Sequence, residues 1–214
     1  MTILYLIRCG QNEWLKQGKL TGQADPMMDA VGDRHREIVG EALKDRKVMH
    51  LYSSPMMRAV QTIGGLAGRL RRYDIKMMPG LTNMNLGAWQ GLTPEQAAEQ
   101  APSLWEPFAR GDFETRAPEG ETLREVAGRS IAAYNEILEQ VGDGVAAVCT
   151  HRLVLKAMIC GLIGAMNPEG FSAFKFDPAS ITTLQIDNGN MRIVELNNCR
   201  HIRGENVLQG PADF

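Results

Sequence analysis

Three short stretches of this chain concentrate side chains able to handle an anion. They are Arg8-Cys9-Gly10-Gln11-Asn12-Glu13-Trp14, Ser53-Ser54-Pro55-Met56-Met57-Arg58-Ala59-Val60-Gln61-Thr62 and Cys149-Thr150-His151-Arg152. Arginine presents a planar fork of N–H donors that matches phosphate or carboxylate oxygens, and a histidine beside it can hold or move a proton. A cysteine thiol among such cations is a candidate nucleophile, provided its ionised form is stabilised. Each residue also has a plainer reading. Free cysteines are mostly core residues, arginines often pair within the scaffold, and a histidine can sit satisfied in a core. Only convergence in space makes a site.

That convergence needs a sheet. The runs 3–7, 48–53 and 145–149 are short, continuous and apolar, as strands buried on both faces tend to be. Two further runs, 181–186 and 191–196, flank Asp187-Asn188-Gly189-Asn190, and Asn-Gly is a strong hairpin signal. Helical patterns occupy about 33–43, 58–71, 121–141 and 153–163. In the third, Leu123, Val126, Ile131, Tyr134, Leu138 and Val141 form an apolar stripe. Strands alternating with helices predict an α/β fold: a three-layer sandwich with a mostly parallel central sheet flanked by helices. Proline and tryptophan clustered between Pro94 and Pro118 predict a small helical cap insertion at about 92–118, within a single domain spanning 1–214. Ligands of such sheets gather where strands end and helices begin. Arg8, Cys9, Arg58, His151 and Arg152 are therefore expected to share a pocket.

Composition excludes several function classes. The 214 residues are 44% hydrophobic and 22% charged, near the globular average and unlike disordered, collagenous or coiled-coil chains. Lys plus Arg total 23 against 25 for Asp plus Glu, a balance that gives no field for nonspecific nucleic-acid or anionic-membrane binding. Neither nucleic acid nor membrane is expected as a partner. Four scattered cysteines without a CxxC pair predict a reducing, cytoplasmic setting. The N-terminal apolar run is too short for a signal segment, and no stretch reaches the ~20 residues of a membrane span. Cys9, His151 and Cys149 have no metal-ligand spacing, and no phosphate-binding glycine loop, dinucleotide fingerprint or serine elbow occurs. Neither metal nor cofactor is expected. Cys149, Cys160 and Cys199 read as structural. The pairs Met27-Met28, Met56-Met57 and Met77-Met78 read as packing, and Gly64, Gly65 and Gly68 as points of close helix contact.

The three stretches, in this order, resemble the histidine phosphatase superfamily, with its phosphoglycerate mutase-like fold. That family carries an Arg-His-Gly-Glu/Gln-Thr/Ser block after the first strand and a Ser-Ser-Pro-Leu-x-Arg-Ala-x-Gln-Thr block after the second. A Glu-x-x-x-Gly-x-Trp-Glu-Gly block and a late Ser-His-Gly complete it. Here the counterparts are Arg8–Asn12, Ser53–Thr62, Asn83–Gly91 and Thr150–Arg152. Gly22, Asp25, Pro26 and Gly32 fit the family's loop and helix entry, and Pro118–Thr122 resembles its Pro-x-Gly-Glu-Ser turn. The resemblance covers roughly residues 1 to 200. It implies anion binding by Arg8, Arg58, His151, Arg152 and Asn12, and a phosphorylated or otherwise anionic small molecule as partner. A homodimer is compatible with the sequence and not required by it.

The departures fall on the chemistry. The family's histidine nucleophile is Cys9 here, and the glutamate that donates its proton is Asn83, which cannot do so. A phosphate-holding asparagine is replaced by Leu15, and the glycine after the late histidine by Arg152. The anion cradle is expected to persist while ordinary phosphohistidine chemistry is lost. Three functions stay open. Cys9 acts as a nucleophile with His151 as partner, its pKa lowered by Arg8 and Arg58; or the chain is a pseudoenzyme that binds a metabolite or a protein; or it is an ordinary small-molecule phosphatase.

Overall fold

The computed structural model describes residues 1–202; the expected domain range continues to 214, so 203–214 lie outside the described residues. In chain order the elements begin β1 (Thr2–Arg8), α1 (Glu13–Lys16), α2 (Ala30–Leu43), β2 (His50–Ser53), α3 (Met57–Leu70) and β3 (Ile75–Met77). There follow α4 (Pro94–Gln100), α5 (Pro102–Ala109), α6 (Leu123–Val141), β4 (Val145–Thr150), α7 (Arg152–Leu162), α8 (Pro168–Ala173), β5 (Ile181–Asp187) and β6 (Asn190–Asn198). The strands form one sheet in the order β3-β2-β4-β1-β5-β6. Pairing is parallel from β3 through β1 and antiparallel at β1–β5 and β5–β6, so the sheet is mixed.

The period-2 geometry of strands divides the core in two. In β1, Leu4 and Leu6 face one side and Ile7 the other; in β4, Ala146 and Val148 oppose Ala147 and Cys149. One face is covered by α6 and α7 through Val126, Ile137, Val154 and Met158. The other is covered by α2 and α3 through Val39, Leu43, Ile63 and Leu66. This double burial explains why the central strands read as unbroken apolar runs.

Local chemistry sets the element ends. Asn188 and Gly189 both have positive φ, 47° and 77°, as a two-residue hairpin turn with Asn-Gly requires. Helix α6 starts on a reciprocal capping box between Thr122 and Glu125. Asp29 caps α2 by accepting from Gly32 N at 2.8 Å. The three-residue β3 has too little sequence to betray itself by periodicity. Residues 92–118 carry α4 and α5, whose Trp105 and Phe108 pack against buried Trp89.

Two packing expectations need correction. Gly65 does meet α2 closely, since a Cβ there would fall 2.1 Å from Arg36 O, but Gly64 and Gly68 would meet nothing within 4 Å. Gly64 and Gly68, four residues apart, share a face of α3 that has no close neighbour, while Gly65 is turned towards α2. Likewise only one methionine of each pair packs: Met28, Met56 and Met78 are buried, while Met27, Met57 and Met77 are exposed. Among the described residues, no helix is long and apolar enough to cross a membrane.

Candidate anion site

The C-terminal ends of β1, β2 and β4 come together around a small cleft, as the parallel register dictates. Arg8 pairs with Thr150 and Ser53 with Cys149, so Cys9, Ser54 and His151 leave the sheet at one level. Cys9 N donates to Thr150 O at 2.8 Å and Ser54 N to Cys149 O at 2.9 Å. The Cys9 Sγ lies 3.4 Å from His151 Nδ1, and His151 Nε2 lies 2.7 Å from Ser54 Oγ. A neutral imidazole carries one ring proton. A thiol donating to Nδ1 leaves Nε2–H to donate to Ser54, and both contacts are then satisfied.

Arg8 is anchored from behind. Its Nη1 donates to Phe176 O, and its backbone is held on both sides by Ser180 O and Ala179 N. Arg58, 2% exposed, is bound to the loop after α1: Nη1 donates to Ala24 O and Asp25 Oδ1, and Nη2 to Gly22 O, each at 2.9 Å. A guanidinium has five N–H groups, so two remain for the cleft. Gly22 is the hub of this loop. Its φ of +52° lies in the region that favours glycine, and its carbonyl also accepts from Asn83 Nδ2 at 2.9 Å.

The two asparagines each have one half of the side-chain amide engaged. Asn12 Oδ1 caps α1 by accepting from Leu15 N at 3.0 Å. Asn83 is held at its backbone carbonyl by Gln23 and Arg129, while its Oδ1 is buried with no partner among the described residues. Arg152, half-buried, opens α7 beside the cleft. The cleft encloses about 60 Å³, several times the ~10–15 Å³ that a single water needs. Its lining includes every expected site residue: Arg8, Cys9, Asn12, Arg58, Asn83, His151 and Arg152.

Electrostatics overturn one expectation. Burial pushes the Cys9 thiol pKa up; the nearby Arg58 and Arg8 charges pull it down without cancelling burial. Burial likewise drives His151 well below an ordinary imidazole, with Arg58, Arg129 and Arg8 adding to the effect. The expected low-pKa thiol is replaced by a neutral thiol–imidazole pair, because desolvation penalises charge on both partners. No aspartate or glutamate occurs among the described residues lining the cleft, and among the described residues no three metal-ligating side chains are grouped.

Several lining residues escaped sequence reasoning. Lys19 and Thr21 lie on the loop that leads to Gly22, the glycine already fitted to a loop, which was the available signal. Leu20, Leu86 and Leu153 come from separate segments, and nothing local marks them. Ser54 stood inside the second block, where only its contact with His151 reveals a role.

Comparisons with known proteins agree with this geometry at the level of family. A model described as the histidine phosphatase superfamily (branch 1) matches residues 4–199. Phosphoserine phosphatase 1 of Hydrogenobacter thermophilus is 23% identical over 202 residues, 94% of this chain and 95% of that one. A metal-independent phosphoserine phosphatase of Arabidopsis thaliana is 26% identical over 215 residues, covering 100% of this chain and 88% of its own. Among solved structures, the Entamoeba histolytica phosphoserine phosphatase in complex with 3-phosphoglyceric acid aligns with a TM-score of 0.84. It is 24% identical and covers 94% of this chain and all of that one, a likeness of fold.

Proposed function

We propose that this chain, which belongs to the histidine phosphatase superfamily, binds a phosphorylated small molecule and does not pass the phosphoryl group through a protein histidine. The observation that carries the reading is the uncharged Cys9–His151 pair, set beside Arg8 and Arg58 in a cleft whose described lining residues include no carboxylate. Two arginines suit a phosphate's oxygens, and neutral His151, its ring nitrogens engaged by Cys9 and Ser54, holds the floor of the cleft beside them. Phosphoryl transfer needs more than binding. The nucleophile must be available and the leaving oxygen must receive a proton, and a missing general acid alone costs about 10²–10⁴-fold. Asn83 has its Nδ2 bound to Gly22 O and offers no ionisable proton.

Relatives named as phosphoserine phosphatases support the class of ligand, a phosphomonoester, more than they support turnover. Cys9 and Asn83 stand at the two positions on which that activity rests in the family resemblance. A second reading, Cys9 as nucleophile, is favoured by its hydrogen bond to His151, since Cys–His pairs serve that role when charge separates. Burial works against the charge separation here.

Titration calorimetry with inorganic phosphate tests the proposal, alongside turnover of p-nitrophenyl phosphate. The expected result is measurable phosphate binding, its loss in Arg58→Ala, and hydrolysis close to the uncatalysed background. Brisk hydrolysis that survives Cys9→Ala contradicts the proposal. So does a phosphate-soaked crystal structure with no anion between Arg8, Arg58 and His151.

A further inference from the structure

The cleft has a second character besides its cations. Leu15 of α1, Leu20 of the following loop, Leu86 and Leu153 of α7 all line it, and each comes from a different segment. Leu20, Leu86 and Leu153 are 3%, 2% and 5% exposed, so these walls are part of the packed interior and are preformed. The two asparagines beside these walls each have one half of the amide engaged. Asn12 gives its amide oxygen to the α1 cap, and Asn83 gives its amide nitrogen to Gly22 O. A sugar or polyol placed here would leave hydroxyls facing leucine side chains, at a cost for each unpaired group.

From this juxtaposition we infer that the ligand is a phosphate monoester of a compact apolar group, an alkyl or aryl chain. The inference rests on the anion reading above and narrows it. The phosphate occupies the Arg8, Arg58 and His151 end, and the substituent lies along Leu15, Leu20, Leu86 and Leu153. Lys19 and Arg152 also line the cleft, and their aliphatic stems can extend the same surface. Selectivity comes from desolvation. Each methylene moved from water onto apolar walls raises affinity up to about fourfold.

Alkylphosphonates test this directly, because their carbon–phosphorus bond is not hydrolysed. Calorimetry is run with inorganic phosphate, methyl-, ethyl-, propyl- and phenylphosphonate, and with phosphonoacetate as the doubly anionic competitor. Affinity is expected to climb by about three- to fourfold per methylene to propyl, with phenylphosphonate tighter than methylphosphonate and phosphonoacetate weaker than propylphosphonate. Leu15→Asn is expected to flatten the climb, and Leu15→Met to retain it, which separates a wall contact from general damage. A flat series among phosphonates that all bind overturns the inference and leaves the anion reading standing. Phosphonoacetate binding tighter than propylphosphonate also overturns it, in favour of a ligand with a carboxylate. Failure of phosphate and every phosphonate to bind overturns both.

Discussion

Acid should destabilise this protein through a histidine lying directly beneath the site. His35 of α2 is completely buried, and its Nδ1 accepts from Gln11 N at 3.2 Å, which ties down the turn that follows Cys9. Burial, assisted by the Arg8 and His201 charges and opposed by Asp29, lowers its pKa to about 4 from an ordinary 6.5. The folded state therefore keeps His35 neutral while the unfolded chain protonates it first. Stability from this group is complete above about pH 6.5 and falls as acid is added, at about 1.4 kcal/mol per unit, until roughly pH 4. Integrated from pH 7.5 to 4.5, the loss is about 2.5 kcal/mol, a large share of a typical domain's 5–15 kcal/mol. His151 contributes in the same direction, so the wild type alone cannot isolate His35. His35→Asn can. Its side-chain oxygen preserves an acceptor for Gln11 N and does not titrate. Urea unfolding of both proteins at pH 7.5 and 4.5 should show the wild type losing about 2.5 kcal/mol more than the variant. Equal losses, within about 0.5 kcal/mol, would refute the reasoning that places a neutral, acceptor histidine at this spot.

Iodoacetamide labelling of Cys9, followed by peptide mass mapping, should be slow at pH 7, with a midpoint above the ~8.5 of a free thiol. A midpoint clearly below 8 would restore the nucleophile reading. The double variant Cys9→His, Asn83→Glu should gain at least about 10²-fold in p-nitrophenyl phosphate hydrolysis over the wild type. No gain would mean that something other than these two residues withholds the chemistry. In α3, Gly65→Ala should cost about 2–3 kcal/mol because its Cβ meets the α2 backbone, whereas Gly68→Ala should stabilise by about 0.5–1 kcal/mol. Similar thermal midpoints for the two variants would contradict the close α2–α3 contact.

Much of this molecule was determined by short-range sequence signals. The strands β1, β2 and β4 announced themselves because burial on both faces demands continuous apolar runs, and Asn188-Gly189 announced its turn because few residues accept positive φ. The blocks ending those strands also named Arg8, Arg58 and His151, since strand ends of one parallel sheet must meet in space. What the tertiary structure alone decided concerns environment. The charges that favour a Cys9 thiolate are visible in sequence; the desolvation that outweighs them is the sum of every atom packed around the thiol, drawn from residues far apart in the chain. The same holds for the cap that Asn12 Oδ1 gives α1, and for the leucine wall, whose members share no periodicity. Spacing along a chain encodes which way a side chain points from its own element. Dielectric, competition for hydrogen bonds and the shape of a cleft depend on what the other elements bring to it.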